Sequence, residues 1–144
     1  MAAIEDSRRR LLLHGMFLFL LGLLTGFVEQ NLTNPRMGLA AHLEGVMNGT
    51  FLVALGAIWT EVRLSPRLKG AAYGSALYGT YANWAVTLLA AVFGTAAMSP
   101  ITAAGRSGQP WQEGLVTFGF MSVGLAIVAS SILVLSGLRR TRMA

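Results

Sequence analysis

Four apolar stretches dominate the chain. Leu11 to Val28 carries no charged side chain and, at roughly 27 Å as a helix, is long enough to cross a hydrocarbon core. Met37 to Thr60 is interrupted only by Glu44. Gly70 to Gly105 is uncharged throughout, with its span expected at Ala71 to Phe93, before Pro100, and Gly114 to Leu138 is the fourth stretch. Lipid offers no water to unpaired backbone groups, so each stretch is expected as a helix. The pattern predicts an all-α integral membrane four-helix bundle, one domain over residues 1–144, with helices at approximately 11–29, 37–61, 71–95 and 114–138. Asn34-Pro35 and Ser107-Gly108-Gln109-Pro110 predict turns between spans. Thr95 to Glu113 is the longest connection and is expected to form a partly ordered cap outside the membrane.

Composition narrows the class. Hydrophobic residues make up 54% and charged residues 12%, about half the charge of a soluble domain. That argues against a soluble enzyme and against a disordered chain. With no cysteine there is no disulfide scaffold, thiolate metal site or cysteine nucleophile. Two histidines are too few for most all-histidine metal sites. The positive charge orients the chain. Arg8, Arg9, Arg10, Arg63, Arg67, Lys69, Arg139, Arg140 and Arg142 lie before the first span, between the second and third, and after the fourth. Only Arg36 and Arg106 fall in the other two loops. This split predicts cytoplasmic termini and a multi-pass inner-membrane protein. The net charge of +5 is thereby accounted for as membrane-orienting, and no nucleic-acid partner is expected. The first apolar run is long and lacks a clean small-residue cleavage site, so it is expected as a retained helix.

Ionisable and amide groups inside spans are costly and often functional. The second span holds His42, Glu44 and Asn48. On a helical wheel with His42 at zero, Gly45 falls at roughly 300° and Gly49 at roughly 340°, beside the imidazole. Their GxxxG spacing fits a helix-packing groove, and equally a flat ligand lying on bare backbone beneath His42. Glu44 and Asn48 share another face, where Glu44 suits either the headgroup boundary or proton transfer. The third span carries Tyr73, Thr80, Asn83 and Thr87 within an arc of roughly 80°. Bonding between helices accounts for the two threonines better than for Asn83. Trp59 and Trp111 are expected as interfacial anchors, and Trp84 as a deeper ring packed against an aromatic ligand or a helix. His14 and His42 approach opposite membrane faces, roughly 20 Å apart, so one copy cannot place both on one iron.

Two segments resemble a known family. Asn34-Pro35-Arg36-Met37-Gly38-Leu39-Ala40-Ala41-His42-Leu43-Glu44-Gly45-Val46-Met47-Asn48-Gly49 is similar to the second-helix segment of bacterial hydroxylaminobenzene mutases. Tyr78-Gly79-Thr80-Tyr81-Ala82-Asn83-Trp84 is similar to their third-helix segment. These proteins resemble styrene oxide isomerases, which share the His, the Asn six residues later followed by Gly, and the Ala-Asn pair. The likeness runs roughly from Leu13 to Leu138. It implies a redox-neutral isomerase of four-helix protomers, assembled as trimers around haem b, with ferric iron as a Lewis acid. On that resemblance His42 is the iron ligand, with Gly45 and Gly49 beside the cofactor. Asn48 and Asn83 are the catalytic pocket residues, and Tyr81 and Trp84 line the ring pocket. Styrene oxide isomerases carry Asp and Tyr four residues before and after the third-helix Asn. Gly79 and Thr87 stand there in this chain, which favours the mutase branch.

The expected activity is conversion of an arylhydroxylamine such as hydroxylaminobenzene to a 2-aminophenol by intramolecular hydroxyl transfer, in a lipid-embedded homo-oligomer. Two other classes compete. A haem-anchoring electron-transfer subunit requires two axial ligands. A small proton-coupled multidrug transporter requires Glu44 and no cofactor.

Overall fold

The computed structural model describes residues 2–139, with side chains from Asp6 onward. Arg140 and Arg142, counted above toward orientation, lie outside the described residues. The chain forms α1 (Ala2–Val28), a 3₁₀ turn (Glu29–Asn31), α2 (Pro35–Ile58), α3 (Pro66–Phe93), the short α4 (Pro100–Ala103) and α5 (Pro110–Leu138). Four of these helices are long and apolar enough to cross a membrane. Each of α2, α3, α4 and α5 opens on a proline. Its fixed φ suits the first turn, where its missing N–H costs nothing. The helices therefore begin earlier than hydropathy alone places them, and α2 stops at Ile58, short of the expected residue 61. Gly94, at φ 70°, ends α3 in the left-handed conformation.

The two ends of the molecule are tied differently. At one end the Arg63 N–H donates to Gly137 O (3.1 Å), joining the α2–α3 connection to the end of α5. Lys69 Nζ donates to the carbonyls of Trp59, which caps α2, and of Val62 in the connection that follows (3.0 and 2.7 Å). At the other end Asn34 is fully buried. Its N–H donates to Ala91 O, its Nδ2 donates to Thr102 O, and its Oδ1 accepts from the Met37 N–H. One residue thus caps α2 and fixes it to α3 and to the connection that follows.

The helices stand in a row rather than a closed ring. α1 packs along α2, α2 along α3, and α3 along α5. Among the described residues α5 makes no close backbone contact with α1 or α2. Its outward side chains, Phe118, Leu125 and Ile132, are exposed, as suits lipid or another protein surface. The α1–α2 contact is made through glycine. A Cβ on Gly45 would sit 2.4 Å from Gly22 Cα, and one on Gly49 would sit 2.5 Å from Phe19 N. Small residues allow this approach, and only such closeness gives useful dispersion between helices in lipid.

Trp59 is not an interfacial anchor. It is 1% exposed, stacked edge-on with Tyr73 and covered by Lys69, while Trp111 is exposed as expected. Nor do Thr80 and Thr87 bond between helices. Their hydroxyls donate to Ala76 O and Asn83 O of their own helix, the usual way a hydroxyl is satisfied in an apolar span.

Candidate active site

α2 and α3 bring three polar side chains together. Glu44 and Asn48 are one turn apart on α2, and Asn48 Nδ2 donates to Glu44 Oε2 (2.9 Å). Asn83 Nδ2 on α3 donates to the same oxygen. A carboxylate oxygen only accepts, so both amides must turn their nitrogens to it. That fixes both rotamers. Glu44 lies nine residues into α2, about 14 Å along the axis, and Asn83 ten residues from the end of α3, about 15 Å. Glu44 is therefore well inside the span, deeper than the headgroup boundary considered from sequence.

A cavity of about 300 Å³ opens above this cluster. Glu44, Asn83 and Thr87 form its polar floor, and Met37, Ala40 and Phe120 its apolar walls. Met98, Ser99 and Thr102 of the α3–α5 connection lie over it. The volume is at the lower end for small-molecule sites, and suits a single aromatic ring. The connection is ordered by one carboxylate. Glu113 Oε1 accepts from the N–H groups of Ala96 and Gly108, and Oε2 from those of Ala96 and Ala97 (2.8–3.1 Å). The expected cap is therefore present and lies over the cavity.

His42 occupies a different side of α2. Its Nδ1–H donates to Gly22 O (2.8 Å), and the ring lies against Gly26 of α1. With Nδ1 protonated, Nε2 keeps its lone pair. His14 is eight residues before Gly22, about 12 Å along α1. It pairs with Tyr81, whose hydroxyl donates to His14 O (3.2 Å) and accepts from Nδ1 (3.2 Å). The two histidines are thus kept apart, although His14 lies in mid-helix. Among the described residues no group of three His, Asp or Glu side chains could hold a metal ion by itself.

Four further residues singled out from sequence lie away from the cavity. Gly45 and Gly49 are buried against the backbone of α1, so within this chain they form a helix-packing groove and not an open bed for a flat ligand. Trp84 donates from Nε1 to Thr25 Oγ1 (3.1 Å) and lies beside Gly45, and Tyr81 faces His14. Both rings serve the α1–α3 contact and do not line the cavity. Asn48 and Asn83 do meet, and they meet on Glu44. The sequence carried a signal for it: a carboxylate in an apolar span, one turn before an asparagine.

Comparison with known proteins defines the class. Residues 7–139 match the styrene oxide isomerase family, and the chain belongs to it: a membrane-spanning enzyme of the isomerase or mutase type. Within that class it is 52% identical to hydroxylaminobenzene mutase HabB of Ectopseudomonas oleovorans, over 91% of this chain and 80% of the relative. Hydroxylaminobenzene mutase HabA of the same organism is 41% identical over 88% of this chain and 94% of the relative. No solved structure matches the chain.

Proposed function

We propose that this chain is an inner-membrane arylhydroxylamine mutase that converts hydroxylaminobenzene to 2-aminophenol. The observation that carries the reading is the cavity floored by Glu44 and Asn83, in a chain 52% identical to a hydroxylaminobenzene mutase. With Nδ2 held by Glu44, Asn83 keeps its Oδ1 as an acceptor for the substrate N–H or O–H, while Asn48, which does not line the cavity, bonds Glu44. The apolar walls take the ring and limit competing attack by water at the para carbon.

His42 has the chemistry of a haem ligand. Its Nδ1–H is committed to Gly22 O, the arrangement that leaves Nε2 available to iron. Ferric haem b held there would supply a Lewis acid for the hydroxyl oxygen. His42 and Glu44 lie about 200° apart around α2, on the two edges of its exposed stripe of Leu39, Leu43 and Met47. A single copy does not bring both to one small molecule. The reading therefore includes a homo-oligomer, with a trimer favoured, in which the His42 edge of one copy meets the cavity of the next. Head-to-tail contacts of this kind close a ring when the rotation between copies divides a full turn, by 120° for a trimer.

The test is conversion of hydroxylaminobenzene by purified protein in ¹⁸O-labelled water. The expected product is unlabelled 2-aminophenol. Absence of 2-aminophenol removes the mutase reading. Substantial solvent label replaces intramolecular transfer by attack of water on a freed cation.

A further inference from the structure

We propose that Ser99 and Thr102, in the roof of the cavity, select the substrate, favouring arylhydroxylamines whose para substituent is a neutral hydrogen-bond acceptor such as a ketone or an ester. The inference rests on the mutase reading above and adds to it a substrate class and the two residues that recognise it.

The cavity is polar at both ends and apolar between them. Glu44, Asn83 and Thr87 form the floor, Met37, Ala40 and Phe120 the walls, and Ser99 and Thr102 bring hydroxyls to the roof. The fold itself does not use those two hydroxyls. Ser99 precedes α4, yet its side chain makes no capping bond. Thr102 is tied to Asn34 through its carbonyl oxygen, which leaves its side chain out of that contact. Neither hydroxyl bonds another of the described residues, so each keeps a proton to donate where it lines the cavity.

The separation of the two ends fixes which ring position is read. About 15 Å of helix lies between Asn83 and the end of α3, where the connection that carries the roof begins. A ring whose NHOH group is held at the floor by Asn83 points its para carbon away from the floor, along that axis. The ortho carbon must stay free to receive the oxygen, and the meta positions face the apolar walls. Two hydroxyl donors match the two lone pairs of one carbonyl oxygen. The substituent must be neutral. Among the described residues no cation lines the cavity, and a carboxylate there would be buried without a partner. Water bonded to a roof hydroxyl is displaced without loss only by a group that remakes the bond, so an apolar substituent of the same shape binds less well.

The experiment measures kcat/KM for the para-acetyl and para-isopropyl derivatives of hydroxylaminobenzene, which have nearly the same shape. It uses wild type, Ser99→Ala, Thr102→Val and Thr102→Ser. The quantity read is each protein's preference, the ratio of the two values, because the electronic effect of the acetyl group then cancels between proteins. Each lost hydroxyl is expected to lower the preference for acetyl by about 2- to 10-fold. The change should fall in KM and not in kcat, since the roof is remote from the N–O bond. Thr102→Ser restores the hydroxyl and should restore the preference. An unchanged preference in both Ser99→Ala and Thr102→Val, or a loss shared equally by the two substrates, overturns the proposal and leaves the mutase reading intact. Equilibrium binding of para-acetylaniline and para-isopropylaniline, which cannot rearrange, reads the same preference without turnover. A wild-type chain that makes no 2-aminophenol from hydroxylaminobenzene overturns the mutase reading, and the binding ratio then decides the roof alone. A ratio lowered in the two variants supports recognition by Ser99 and Thr102, and an unchanged ratio overturns it.

Discussion

The Asn83 amide of α3 donates to the Glu44 carboxylate of α2, and this bond joins two helices at the floor of the cavity. Residues 39 apart in sequence meet there on an oxygen that also holds Asn48. Rigid placement of all three side chains follows from that shared oxygen, because neither amide can rotate without giving up its bond to a charged acceptor.

Replacing Asn83 tests that arrangement. A hydrogen bond to a charged group contributes about 1.5–3 kcal/mol, so Asn83→Ala should lower kcat/KM by roughly 10- to 150-fold. Asn83→Asp preserves size but sets a second carboxylate against Glu44, and like charges resist sharing a site. It should be the worse of the two. Steady-state kinetics on hydroxylaminobenzene give the order, and Asn83→Asp matching wild type would remove Asn83 from the site.

The α1–α2 contact makes a separate prediction about stability. A side chain at Gly45 meets the backbone of Gly22, which cannot yield as a flexible side chain would. Gly45→Val should destabilise the fold by about 1–3 kcal/mol, the usual cost of overpacking. Gly74 has open space where its Cβ would be, so Gly74→Ala is the control and should leave stability nearly unchanged. Thermal unfolding in detergent, followed by circular dichroism, reads the difference. Equal midpoints for both variants would show that α1 and α2 do not meet this closely.

Glu113 should govern access to the cavity rather than the reaction in it. Its carboxylate gathers the N–H groups of Ala96, Ala97 and Gly108 and so orders the connection that carries Met98 and Ser99 over the cavity. Glu113→Ala leaves those donors without their acceptor. Limited proteolysis between Ala96 and Gly108 should speed up, and KM should rise several-fold with kcat little changed. A fall in kcat at constant KM would instead mean that the connection takes part in the chemistry.

Much of this fold was legible because lipid imposes a simple rule on backbone groups. Long apolar stretches had to be helices, and the structure has them. What the pattern left open is how they sit together. In α5 the side chains that pack inward, Val116, Val123 and Ser130, are smaller than the outward Phe118, Leu125 and Ile132 rather than more apolar, so hydropathy carries no signal of its place at the end of the row. Gly45 and Gly49 posed the same problem in miniature. Their spacing suits a helix or a flat ligand equally, and only the position of α1 decides between them. Asn48 and Asn83 stood out because an amide in an apolar span needs a partner. Their common partner was visible as Glu44, but its bond to Asn83 depends on the register of α2 against α3, which periodicity within one helix does not contain.

The last prediction separates the two histidines. His14 is bound to Tyr81 on both its ring nitrogen and its backbone carbonyl, a contact that fastens α1 to α3. His42 gives Nδ1–H to Gly22 O and keeps a lone pair on its other nitrogen; His14 keeps one too, so the two are separated by the ligand position that the His42 segment occupies in the family it resembles and not by the free nitrogen. An iron ligand must have such a nitrogen, and a carbonyl bonded to the opposite N–H raises its basicity. Purified wild-type protein should therefore show a Soret band, and His42→Ala should lose it along with 2-aminophenol formation. Insertion of the four apolar helices does not depend on one imidazole, so the variant should still reach the membrane. His14→Ala should keep its haem and most of its activity, with a modest loss of stability from the missing Tyr81 contact. The haem-to-protein ratio and turnover of the two variants are the measurements. Undiminished haem and turnover in His42→Ala would remove His42 as the iron ligand, and with it the source of the Lewis-acid chemistry proposed for this chain.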